Sequence, residues 1–127
     1  MKKYVMMLAL VMMTLPSLSF ADELVLERLQ CIETEDWTGA DDADLVVGGE
    51  HVWSGKMNNG QTVSLNIRRP MTGNVRIELY EIDSSMWGDE KDYLGSITVS
   101  SSLKGMGSQT GGFTEDDANY KLHYHVK

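Results

Sequence analysis

The chain is 127 residues long, and nineteen acidic against eleven basic residues leave a formal net charge of −8 at pH 7. That length bounds it to one ordinary domain. The acidic balance argues against nucleic acid as a partner and against unassisted binding to anionic lipid, and it suits a cation or a basic protein.

The first residues read as a secretory leader. Lys2 and Lys3 precede an apolar run from Tyr4 to Leu15, and Ser19-Phe20-Ala21 has the small-x-small form of a cleavage site. The run is too short to favour a permanent membrane span. The expected organisation is a signal peptide over 1–21 and one domain over 22–127, located in the periplasm. The leader holds two of the basic residues and none of the acidic ones, so the remaining 106 residues would carry −10. A single cysteine, Cys31, leaves no internal disulfide. Its spacing from Leu29 predicts a buried, small apolar side chain in a strand.

Helical periodicity is nearly absent beyond the leader. Alternating or β-branched runs occupy 25–34, 45–53 with a break at Gly48-Gly49, 61–68, 75–82, 93–100 and 119–126. Asn58-Asn59-Gly60 is a hairpin turn, because Asn and Gly accept positive φ. Residues 70–74 read as a further turn, and Ser101 to Gly112, rich in Gly and Ser, as a loosely packed connection. In the strongest run Val75, Ile77 and Leu79 share one face. About seven or eight short strands joined by turns predict an all-β, antiparallel sandwich whose loops gather at its two ends.

Carboxylates concentrate in two stretches. Asp36 and Asp42 lie six apart ahead of the second strand run, with Asp41 and Asp44 as competitors. Glu81 and Asp83 sit two apart at the end of the 75–82 strand, and Asp92 precedes the next strand, with Asp89 and Glu90 as rivals. Residues two apart on a strand point to one side. If the two stretches are neighbours, five carboxylates converge, and their repulsion calls for a hard divalent cation such as Ca2+.

That spacing resembles the calcium-binding loops of C2 domains. In that family one loop offers two Asp six apart, and another offers Asp-x-Asp at a strand end, then an Asp before an aromatic, an aliphatic and a Gly. Asp36 and Asp42 match the first; Glu81, Asp83 and Asp92 with Tyr93-Leu94-Gly95 match the second. Glu81 departs from the family's Asp, and the interval from Asp83 to Asp92 is long. The resemblance implies a C2-like sandwich with Asp36, Asp42, Glu81, Asp83 and Asp92 as calcium ligands.

Enzymatic constellations are weak, since Glu and Asp pairs that could imitate a glycosidase acid and base lack a cleft to work in, and no enzyme is expected. There is no G-x-S-x-G, no H-E-x-x-H and no phosphate loop. His123 and His125 alternate with Leu122, Tyr124 and Val126 and read as a surface-facing pair. Trp37, Met86 and Trp87 fall inside the acidic stretches, where large apolar side chains suit contact with a partner. Trp53 reads as core.

In size, leader and all-β character the chain is similar to small periplasmic immunity proteins of type VI secretion systems. That similarity implies an inhibitor that plugs the active site of a basic, secreted cell-wall hydrolase, and it allows a homodimer. The alternative, implied by the C2-like loops, is a calcium-dependent module that binds a membrane or another surface. No polybasic face is visible, Arg68-Arg69 being the only adjacent basic pair beyond the leader, which weighs against a membrane.

Overall fold

A computed structural model describes residues 22–37, 39–85 and 88–127. The leader expected over 1–21, and Met86 and Trp87, lie outside the described residues. Eight strands form: β1 (Asp22–Glu33), β2 (Asp41–Val47), β3 (Glu50–Met57), β4 (Thr62–Met71), β5 (Asn74–Ser85), β6 (Gly88–Ser100), β7 (Gln109–Phe113) and β8 (Asn119–Val126). They build two four-stranded sheets, in the orders β4-β1-β8-β7 and β3-β2-β5-β6. Every strand pair is antiparallel, so the all-β antiparallel sandwich expected from the sequence is the observed fold.

The core follows from strand alternation. Leu24, Leu26, Leu29 and Cys31 of β1 and Tyr120, Leu122, Tyr124 and Val126 of β8 face inward from one sheet. Ala43, Leu45 and Val47 of β2, Ile77 and Leu79 of β5, and Leu94 and Val99 of β6 meet them from the other. Each fully buried Leu, Ile or Val among these contributes about 1.5–3 kcal/mol relative to exposure. Cys31 is free and wholly buried, as its spacing predicted. Trp53 lies at the margin, partly buried against this core.

Two expectations need correction. Ser101 to Gly112 is not a loose connection: it holds a short 3-10 turn at Ser101–Leu103 and most of β7. Gln-Thr-Gly-Gly gives no apolar alternation to read, yet a Cβ on Gly111 would come within 2.4 Å of Ile97 Cδ1, so the glycine is what lets β7 lie across β6. Pro70 and Met71 are likewise strand rather than turn. β4 is an edge strand, where a proline removes no essential ladder bond.

The register of β5 and β6 shifts by one between Leu79 and Tyr80, opposite Gly95 and Tyr93, leaving Leu94 as the extra residue. Gly95 has φ +134°, and a Cβ there would lie 3.0 Å from Phe113 Cα and 3.3 Å from Thr114 N. Backbone atoms cannot retreat as a flexible side chain does. Gly95→Ala is therefore expected to cost about 2 kcal/mol in urea unfolding. A loss below about 0.5 kcal/mol, the usual range of a neutral surface change, would mean that the bulge does not need glycine.

Candidate metal centre

The same inward rows that build the core run on past its end as carboxylates. Along β2 the buried inward-facing positions are Asp41, Ala43, Leu45 and Val47; along β5 they are Ile77, Leu79 and Glu81. Glu81 pairs with Ala43 on one side and Asp92 on the other. Glu81, Asp83 and Asp92 thus sit on strands, not in a loop, and share one end of the sandwich with Glu35 and Asp36.

Two overlapping groups of oxygens gather there. Atoms of Glu35, Glu81, Asp83 and Asp92 all lie within 4.8 Å of one another, as do atoms of Glu35, Asp36, Asp41 and Glu81. Asp36 and Asp83, from distant parts of the chain, belong to one cluster joined through Glu35 and Glu81. Glu81 is only 2% exposed, and its Oε2 has no hydrogen-bond partner. An orphaned carboxylate oxygen at such depth is costly unless a proton or a cation satisfies it. An all-oxygen set of this kind fits Ca2+ or Mg2+ rather than a softer metal.

Residues 34–36 are held by hydrogen bonds to one another, to Asp41 and to Asn59. Asp41 is fully buried. Its Oδ2 accepts from Glu35 N (2.9 Å) and from Tyr120 Oη (2.6 Å), and its Oδ1 accepts from Asp36 N (3.3 Å). Thr34 Oγ1 donates to Asp36 O (2.8 Å), and Thr34 N donates to Asn59 Oδ1 (2.8 Å). The Asn58-Asn59-Gly60 turn therefore does more than reverse the chain; its Asn59 props the acidic segment.

Asp42 is not drawn into the cluster. It lies on the outer face of β2 beside Ser54, Lys56 and Ile82. A six-residue spacing points to Asp42, but strand parity aims its neighbour Asp41 inward. Asp44 is buried on that same outer face, in contact with His51 and 3.5 Å from Lys91 Nζ. Trp37 is 97% exposed, beside a cleft of about 320 Å³ bordered by Glu33, Asp36, Asn59 and Asp117. Met86 and Trp87 fall outside the described residues. The histidine pair is engaged on the outer face of its sheet, His123 with Arg28 (3.2 Å) and His125 with Glu27 (3.3 Å).

Spacing alone misses Glu35 and leaves Asp41 as no more than a competitor of Asp42. Strand parity would have found Asp41. Asp116, in the turn between β7 and β8, also acts here, since its charge raises the carboxyls of Glu35 and Asp92. The run Glu115-Asp116-Asp117 was its visible sign.

Burial first, then neighbouring carboxylates, pushes these groups above the usual range. Glu81 rises to about 8, through burial and then the charges of Asp83 and Glu35. Glu35 rises to about 7, through burial and then Asp92, Asp36 and Asp116. Asp36 and Asp92 are raised too, burial again leading. Without a cation the native state therefore keeps protons that the unfolded chain has already released. The stability these groups contribute is present below their unfolded values and is lost as pH rises through about 7 to 8. In chelator, Tm is expected to be higher at pH 5 than at pH 8. Calcium should reverse that order and release protons on binding, measurable by calorimetry in buffers of different ionisation enthalpy. A Tm in chelator that rose from pH 5 to pH 8 would contradict this electrostatic account.

No protein-family model matches the chain, and no curated protein matches it. Solved structures do. The paired C2 domains of Extended-Synaptotagmin 2 superimpose with a TM-score of 0.53 at 19% identity, over 85% of this chain and 40% of that one. A structure of CC2D1B, described as coordinating activity during mitotic reformation of the nuclear envelope, gives 0.54 at 14%, over 88% of this chain and 56% of that one. A longer piece of Extended-Synaptotagmin 2, with its SMP domain, gives 0.50 at 18%, over 84% and 26%. The chain thus spans 40% and 56% of the first two structures. At these identities the likeness establishes the fold, a C2-like β-sandwich.

Proposed function

We propose that this protein is a non-catalytic binding module that uses Ca2+ at the acidic end of its C2-like sandwich to engage a surface. The observation that carries the reading is Glu81 Oε2, buried without a partner where six carboxylates meet. Glu35, Glu81, Asp83 and Asp92 would hold one ion, with Asp36 alongside. A bound divalent cation would offset part of their repulsion and present a positive centre to incoming oxygens, so that an anionic or polar surface meets a less repellent end.

Trp37 supports contact at that end. It follows Asp36 directly and presents its ring to water, and an indole combines apolar area with a polar N–H. An exported location is part of this reading and rests on residues 1–21. Inhibition of a cell-wall hydrolase, expected from size, leader and strand pattern, draws no support from the fold or from the comparisons. Binding to a surface is therefore preferred.

Thermal melts test the ion. A ligand present at a hundredfold above its Kd stabilises the native state by about 2.7 kcal/mol, raising Tm on the order of 10 °C for a domain of this size. Calcium is expected to produce such a rise over chelator, and Glu81→Gln with Asp83→Asn to abolish it. Equal melting temperatures in chelator and in millimolar calcium would remove the metal from the account. Sedimentation with phosphatidylserine vesicles tests the surface: calcium-dependent pelleting, lost in Trp37→Ala, is the expected result. Absence of pelleting alongside a normal calcium melt would exclude an anionic lipid surface as the target.

A further inference from the structure

The acidic end contains a carboxylate already engaged by protein donors. Asp41 Oδ2 accepts two hydrogen bonds, from Tyr120 Oη at 2.6 Å and from Glu35 N at 2.9 Å, which uses both of its lone pairs. Oδ1 accepts a third from Asp36 N at 3.3 Å. The two backbone donors belong to the residues whose side chains reach the ion cluster, Glu35 and Asp36. Asp41 thus holds the backbone that aims them.

Tyr120 in turn holds Asp41. It is fully buried on β8, in the sheet opposite β2, so its O–H bridges the two layers of the sandwich at their acidic end. A buried phenol must place its proton, and a 2.6 Å contact to a carboxylate is in the range of a charge-assisted bond. Burial, then the bond to Asp41, raises the phenol well above its ordinary value, so it remains a donor at any working pH.

We infer that Asp41 is a positioning residue rather than a calcium ligand, and that the Tyr120 hydroxyl fixes it in that role by clamping the Glu35 and Asp36 backbone across the sandwich. This rests on the calcium reading given above. The two roles make opposite forecasts for loss of the hydroxyl. A ligand competing with Tyr120 for its metal would be freed and would bind calcium more tightly. A positioning carboxylate would lose its anchor, and the Glu35 and Asp36 side chains their aim.

Tyr120→Phe is the test, with Tyr124→Phe, a buried phenol facing inward from the same strand, as control. Tyr120→Phe is expected to lower calcium affinity about tenfold, the effect of losing an outer partner of a metal site. It should also speed hydrogen exchange at the Glu35 and Asp36 amides in chelator, while Tyr124→Phe matches wild type in both. Unchanged amide exchange, or calcium affinity that stays level or rises, would overturn the inference. Faster exchange in a wild-type background that ignores calcium would sink the calcium reading, and the positioning role with it, leaving the clamp as structure only. Asp41→Asn covers the case in which Tyr120→Phe does not fold. It is expected to lose far less calcium affinity than Asp83→Asn, and equal losses would make Asp41 a ligand.

Discussion

Strand alternation carried past the end of the apolar core is the constraint on which the acidic site depends. A β-strand has no means of turning its inward row outward without a bulge. β2 and β5 therefore deliver Asp41 and Glu81 into the interior as firmly as they deliver Leu45 and Leu79. The core and the candidate metal centre are successive parts of the same rows of side chains. That continuity explains why a carboxylate such as Glu81 is only 2% exposed, at a place where water cannot solvate it fully.

The remaining features follow from managing that charge. Asp41 is satisfied by two amides and a phenol, so its burial strengthens the segment around it. Glu35 and Glu81 have no such set of donors, and each keeps one oxygen without a hydrogen-bond partner. Two ways of relieving them exist, a proton or a cation, and they compete for the same oxygens. In the proposed site, pH and calcium would therefore act through the same oxygens. The bulge at Leu94 contributes by turning β6 so that Leu94 faces the core while Asp92 reaches the cluster.

The likeness to Extended-Synaptotagmin 2 and CC2D1B fits this picture at the level of architecture. Glu35 and Glu81 are the two residues common to both oxygen groups. Trp37 adds an apolar contact at the rim of an otherwise anionic end. The outer face of the β4-β1-β8-β7 sheet is mixed, with Arg28, Arg68, His123 and His125 set among Glu23 and Glu27.

The sequence by itself determined the fold class, because period-two alternation and turn residues are local, and β5 and β8 state both plainly. It also marked Asp36, Glu81, Asp83 and Asp92 as carboxylates at the ends of strand runs, whose repulsion would need an answer if the two stretches were neighbours. Only the tertiary structure decided which ones meet. Parity chose Asp41 over Asp42, which a count of residues between aspartates does not register. Glu35, Tyr120 and Asp116 joined through contacts between segments far apart in the chain, and β7 was hidden because its glycines serve the packing of Ile97 rather than any pattern of their own. Local patterns record what each residue prefers; which oxygens face one another is fixed by the register of strands that the chain pairs across long distances.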